Sequence, residues 1–302
     1  MPQPSTAPSG EARQALAAGV GAYLLWGFLP LYFHLLYGMG VGNAEMIAHR
    51  TLWAVLWAFA LVLGSRQVPQ VARVLREPRT LAFLALSTAA ILVNWTIYVI
   101  AVNGGKVLEA SLGYYINPLL NMAVGAIFFR DRMNTEGKIA IGLAVVGVAV
   151  QALALGHLPV ISLGLAASFC LYGVIRKQVK ADAQTGLFIE CLYLTLPGMA
   201  YVLWLESTGA GHFGDGPVIA VLLLLAGPAT VVPLALFAWA ARRLTMTALG
   251  FLQFLAPTLQ FGVGIALGEE FTPMRALSFA FIWLGVAVFA FGVVRASRQR
   301  PS

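Results

Sequence analysis

Ten apolar runs, separated by short polar or Gly/Pro punctuation, dominate the sequence. They fall near 14–36, 43–64, 80–102, 108–129, 136–155, 158–176, 185–206, 217–240, 246–268 and 273–294. Each is close to the roughly 20 residues a helix needs to cross the hydrocarbon core. In lipid a backbone must satisfy its own N–H and C=O groups, and a helix does so within one segment. Little of the 302-residue chain lies between the runs, so a sizeable extramembrane domain is excluded. Apolar residues make up 60 % and charged ones 10 %, against about 25 % charged in a soluble domain. A soluble globule of that content would have a greasy exterior, and disordered chains carry the opposite bias. The sequence therefore predicts an all-α membrane protein with ten transmembrane helices. Residues 1–12, MPQPSTAPSGEA, read as a disordered tail, and 296–302 as a basic C-terminal tail. The first is not a signal peptide, because the run after Arg13 is long enough to span and lacks a cleavage pattern.

The net charge of +7 is read through topology, not as a nucleic-acid surface. Lys and Arg accumulate in cytoplasmic loops. With the N-terminus inside, the inner segments hold Arg13, Arg66, Arg73, Arg76, Arg79, Arg130, Arg132, Lys138, Arg176, Lys177, Lys180, Arg242, Arg243, Arg295, Arg298 and Arg300. That is 16 of the 19 basic residues. The outer loops hold only Lys106 and Arg275, and Arg50 lies within a span. One span missed or invented would destroy this asymmetry, so ten helices with both termini cytoplasmic are expected. Cys170 and Cys191 fall inside apolar runs and read as buried, inert thiols.

The fourth and ninth runs resemble each other at a constant offset of 139 residues. Residues 118–131 read PLLNMAVGAIFFRD and residues 257–270 read PTLQFGVGIALGEE. Pro118 then pairs with Pro257, Asn121 with Gln260, Gly125 with Gly264 and Asp131 with Glu270. GVAV at 147–150 recurs at 285–288. Two five-helix halves follow, 13–155 and 156–295. Five is odd, so the halves cross the membrane in opposite senses, a common build for secondary transporters with a site at the repeat interface.

The run LEASLGYYINPLLN (108–121), preceded by NW at 94–95 and AVN at 101–103, resembles the RarD-like permeases. AHR at 48–50 and QTGLFIE at 184–190 do so as well. These permeases belong to the EamA family of the drug/metabolite transporter superfamily, and the resemblance runs from Gly21 to Val294. The spacing from proline to carboxylate in both halves resembles the general EamA repeat, with Asp131 where Glu is usual. The resemblance implies ten helices in two inverted repeats, a bacterial inner-membrane location and movement of small organic solutes. It links the group by name to chloramphenicol sensitivity, and on family grounds favours export. It does not supply a physiological solute.

Polar groups within a span are costly and usually face a bundle interior or cavity. In the fourth run Glu109, Gly113, Asn117 and Asn121 recur every four residues and form one stripe, bordered by Tyr114. Pro118 removes a helical hydrogen bond and frees a carbonyl beside the carboxamides. The bland reading is interhelical glue, and for Glu109 a pair with Lys106. The ninth run repeats the pattern with Gln253, Pro257 and Gln260. Asn94 and Tyr98 share a face of the third run and Trp26 lies in the first; aromatics there stack on a solute or merely pack. Trp26, Asn94, Tyr98, Tyr114, Asn117, Asn121, Gln253 and Gln260 are the candidate solute contacts, with Pro118 and Pro257 as kinks.

A second set reads as gate or coupling groups. Glu45, His49 and Trp53 share a face of the second run, with Arg50 about 100° away. An Arg at that depth needs an anionic partner or a wet cavity. The alternative is a salt bridge from Arg50 to Glu45 or Glu109 that locks the outer ends. Glu190, deep in the seventh run, answers His49 or Arg50 at an offset near 140. It reads either as a proton-exchanging acid or as a hydrogen-bonded structural one.

No GxxxxGK[ST], HExxH or GxSxG occurs, and the four histidines lack metal-ligand spacing. No cofactor, metal or nucleic acid is expected; the partners are a small-molecule solute and membrane lipid. The favoured reading is a secondary transporter. A channel or lipid-handling protein is the alternative, and an intramembrane enzyme lacks a nucleophile with its base. Nothing in the sequence fixes an oligomeric state.

Overall fold

A computed structural model describes residues 10–128, 134–244 and 246–298. Among them every regular element is a helix: α1 (Gly10–Gly38), α2 (Asn43–Gly64), α3 (Val68–Val74), α4 (Pro78–Asn103), α5 (Val107–Phe128), α6 (Thr135–Leu155), α7 (Val160–Gln178), α8 (Ala183–Thr208), α9 (Pro217–Ala241), α10 (Met246–Leu252), α11 (Leu255–Ala266) and α12 (Pro273–Arg298). Nine segments among the described residues are long and apolar enough to cross a membrane. The chain is thus a multi-pass helical membrane protein. α5 is 22 residues long but is not one of the nine. Glu109, Asn117, Pro118 and Asn121 dilute its apolar content, which is what singled it out in the sequence. α1 begins at Gly10, inside the stretch assigned to the N-terminal tail. Asp131, the partner proposed for Glu270, lies outside the described residues.

The ninth run is not one continuous helix. It breaks at Gln253 and Phe254, between α10 and α11. Pro257 has no N–H to offer the carbonyl of residue 253, and its ring crowds that carbonyl, which permits a break there without requiring one. α5 runs on through its own Pro118.

Packing sets the long helices against distant partners. α2 lies against α8 and α9, α4 and α5 against α7, α1 against α9 and α11, α5 against α11, and α6 against α12. Large apolar side chains stay uncovered on the outside of this bundle. Leu196 is 79 % exposed, Leu153 77 % and Phe128 75 %. In water such a surface would aggregate, whereas against acyl chains it costs nothing.

Polar contacts gather at two ends. At the end where α1 starts and α12 finishes, Arg243 pairs with Glu11 at 3.0 Å and Arg295 with Glu136 at 2.8 Å, while Gln67 bonds Gln184 and Thr185. At the other end Asn103 donates to Asn43 at 2.7 Å, and His212 meets Glu45.

Candidate functional site

α2 starts at the end opposite the start of α1 and carries Arg50 two turns in. Arg50 is 5 % exposed. Its Nε donates to Thr230 Oγ1 of α9 at 2.8 Å, and that hydroxyl donates in turn to the Ala226 carbonyl at 2.9 Å. The guanidinium carbon sits 4.1 Å from the ring centre of Trp95 and 5.7 Å from that of Phe33. The Tyr114, Tyr98 and Tyr32 phenols lie within its electrostatic reach. Two buried polar atoms here lack a hydrogen-bond partner, Arg50 Nη1 and the Tyr98 hydroxyl. Among the described residues no carboxylate pairs with Arg50. The expected alternative, a salt bridge to Glu45 or Glu109, is therefore not formed.

Glu45 is engaged by a residue that sequence spacing did not select. It accepts from the His212 backbone N–H and from Nδ1 of the same residue, both at 2.8 Å, which pins the α8–α9 connection onto the start of α2. His49 accepts from Trp53 Nε1 at 3.0 Å, one helical turn on, and stacks on Phe213 with centroids 5.4 Å apart. Its Nε2 is buried without a partner. Glu109 is buried and forms no ion pair with Lys106 among the described residues. Close to it, Glu269 of the α11–α12 connection accepts from the backbone N–H groups of Val107 and Leu108, the latter at 2.9 Å, and so closes the first turn of α5.

Burial raises the Glu269 carboxyl above the usual carboxylate range, aided by the charge of Glu109, although the two backbone donors and Arg275 oppose it. The folded protein then binds this proton at a pH where the unfolded chain has released it. That stability contribution is present below the unfolded value and is lost as pH rises through the raised folded one. A Glu269→Gln variant is expected to flatten this part of the profile. Thermal unfolding across weakly acidic to neutral pH, in detergent, checks it; an unchanged slope would remove Glu269 as its source.

Asn94 joins α4 to α7. It donates to the Leu165 carbonyl and to Ser168 Oγ, each at 3.0 Å, and accepts from the Tyr114 hydroxyl at 3.3 Å. In this state its amide is committed to the scaffold. Tyr98 and Tyr114 meet edge to face at 5.6 Å, so Asn94, Tyr98, Tyr114 and Arg50 form one buried cluster. Asn117 and Asn121 bond each other at 3.4 Å lower on α5. Gln260 donates to the Trp26 carbonyl at 3.1 Å and leaves its own oxygen buried without a donor. Trp26 packs against Tyr23 and Phe237. Gln253 stands at the α10–α11 break. Beside that break a cavity of about 430 Å³ opens between Leu16 of α1 and Ala248, Phe251, Leu252, Phe254, Leu255 and Thr258. No candidate solute contact lines it, and Thr258 is its one polar side chain. The opening is apolar apart from Thr258, whereas the cluster around Arg50 holds two unmatched hydrogen-bonding atoms.

Glu190 occupies a separate, closed nest toward the terminal end. Ser87 Oγ of α4 donates to it at 2.6 Å and the Tyr172 hydroxyl of α7 at 3.2 Å, while Arg176 Nη1 lies 3.7 Å away. Gly186, one turn before Glu190 on α8, makes room for that guanidinium: a Cβ there would stand 1.8 Å from Nη1.

Comparison with known proteins decides the family. Residues 13–153 match the EamA-like transporter family. The chain is 39 % identical over 292 residues to Protein RarD of Salmonella typhi, covering 96 % of this chain and 99 % of that one. It is 37 % identical over 291 residues to Protein RarD of Escherichia coli (strain K12), covering 96 % and 98 %. The chain belongs to the EamA-like transporters as a RarD-like permease. A solved crystal structure shares its fold at a TM-score of 0.58 and 20 % identity, over 94 % of this permease and 99 % of that chain. The RarD-like permease is thus a multi-pass transporter of the bacterial inner membrane. Its structure gathers Arg50, Asn94, Tyr98 and Tyr114 into one cluster. It leaves Trp26 with Gln260, Asn117 with Asn121, and Glu190 as three separate groups. The residues that sequence reasoning missed are Trp95, Thr230, His212, Glu269 and Arg176. Of these only Trp95, beside Asn94, carried a local signal.

Proposed function

We propose that the permease is a secondary transporter that exports small organic solutes by alternating access, with two inverted five-helix halves, 13–155 and 156–295, around a midplane site. One observation carries this reading: the helix pairings persist when the halves are exchanged. α4 and α5 pack on α7 as α9 and α11 pack on α1, while α2–α8, α5–α11 and α6–α12 map onto themselves. The buried polar pairs repeat the relation. Arg50 of α2 bonds Thr230 of α9, and Glu190 of α8 bonds Ser87 of α4. Inverted repeats of this kind supply two equivalent rocking states. The distribution of Lys and Arg supports cytoplasmic termini. On this reading Glu45, His49, Arg50 and Glu109 close the outer gate, Glu190 responds to the inner side, and the solute meets Trp26, Asn94, Tyr98, Tyr114, Asn117, Asn121, Gln253 and Gln260. Pro118 and Pro257 localise bending.

The test is counterflow in proteoliposomes against a panel of amino acids, nucleosides, amines and chloramphenicol. A carrier exchanges labelled for unlabelled solute; a channel does not. Asn117→Ala is expected to weaken half-saturation roughly tenfold, the loss of about 1.4 kcal/mol of binding, while the protein remains folded. Wild-type affinity in that variant would take Asn117 out of the site.

A further inference from the structure

Resting on the transport reading above, we propose that Arg50 and Tyr98 form the anion subsite of the permease, which takes the carboxylate of a small organic acid. The argument is one of charge and hydrogen-bond accounting. A guanidinium is always protonated and carries five donors. Arg50 is buried, and among the described residues no carboxylate neutralises it. Among the described residues its one hydrogen bond goes to a neutral hydroxyl, Thr230 Oγ1. Nη1 is left buried and unmatched, and so is the Tyr98 hydroxyl. Buried charges in membrane helices are paired or functional, and an unmatched buried donor is rare enough to need a reason. The Trp95 face at 4.1 Å steadies the cation but adds no negative charge. A carboxylate has two oxygens, one for Nη1 and one for the phenol, and charge-assisted bonds of this kind are the strong ones.

The surroundings also bear on the source of the anion. Phe33 of α1, Trp95 and Tyr98 of α4, Tyr114 of α5 and Thr230 of α9 surround the guanidinium. These residues come from four helices besides α2, so the guanidinium faces the interior of the bundle, where a transported solute and not a lipid headgroup would meet it. The pseudo-equivalent position, Glu190, answers its own charge with Arg176 from within the chain. The outer pair lacks that answer, which assigns the missing charge to the cargo.

The experiment uses matched pairs, benzoate against benzamide, isovalerate against isovaleramide and leucine against leucinamide. Binding is read by thermal stabilisation of the purified permease, and transport by counterflow. At least one carboxylate is expected to bind roughly tenfold to a hundredfold tighter than its amide. Arg50→Gln should bring that ratio within about threefold, Arg50→Lys should keep most of it and Tyr98→Phe should lower it severalfold. Arg50→Gln strands no carboxylate, so the variant should fold, and Arg50→Lys serves as a second probe if it does not. No carboxylate preference in the wild type, or a preference that survives Arg50→Gln, would overturn the proposal. Counterflow of uncharged solutes with unaltered Arg50 variants sinks the anion subsite alone. Arg50-dependent carboxylate binding without counterflow sinks the transport reading alone.

Discussion

Glu190→Leu is expected to cost about 3–5 kcal/mol of stability, the usual result of breaking a buried pair from one side. Glu190 is 4 % exposed, and its carboxylate is the acceptor for Ser87 and Tyr172 and the counter-charge of Arg176. The leucine would leave the Tyr172 hydroxyl and the Arg176 guanidinium without this partner, while Ser87 would keep the Leu84 carbonyl as its acceptor. Removing both charges is a different matter. In the Arg176→Met, Glu190→Leu double variant no charge is stranded, and most of the loss should return. Gly186→Ala probes the same pair from the other side, since its methyl group needs the space occupied by the guanidinium. Arg176 is long and swings aside, so this variant should fold while the ion pair separates. Thermal unfolding of the wild type and these three variants checks this. Equal losses in the single and double variants would show that packing, not charge, holds this nest. The stable double variant also isolates the coupling role: if its flux still follows a pH gradient, Glu190 does not couple transport to protons.

Helix content and membrane character were legible because lipid leaves a backbone few choices, and the polar stripe of α5 was legible because four-residue spacing puts side chains on one face. Identities of partners were not. Arg50 and Glu45 lie five residues apart on α2, so the sequence offers them to each other. The fold instead turns Glu45 to His212 in the α8–α9 connection and Arg50 to Trp95 and Thr230. Arg176 was counted only as a cytoplasmic-end cation. At the last turn of α7 its long stem lets the guanidinium reach back toward Glu190. The two mid-helix prolines of the polar runs also act differently. α5 stays continuous over Pro118 while Pro257 ends α10 and starts α11 anew. Loss of one hydrogen bond is common to both, so the outcome is set by what packs around each.

Gly113→Val is expected to be among the most damaging single changes in the membrane region. A Cβ at this position would lie 2.7 Å from the Ser162 carbonyl oxygen and 3.0 Å from the Ser162 Cα, both backbone atoms of α7. No rotamer relieves a clash with backbone, so α5 and α7 must move apart. Their separation undoes a specific contact: Ser162 Oγ of α7 donates to the Glu109 carbonyl of α5 at 2.6 Å. Overpacking alone costs about 1–3 kcal/mol, and the buried polar atoms freed beside it add to that. Gly227→Val tests the other half by the same logic, because a Cβ there meets the Trp53 carbonyl at 2.7 Å where α9 crosses α2. Gly142 and Gly250 have open space around them, and alanine at either should be neutral. Thermal unfolding and monodispersity in detergent separate these cases. A folded, stable Gly113→Val protein would mean that α5 and α7 do not approach this closely in the membrane, and that the Asn94–Tyr114 scaffold beneath Arg50 is looser than described.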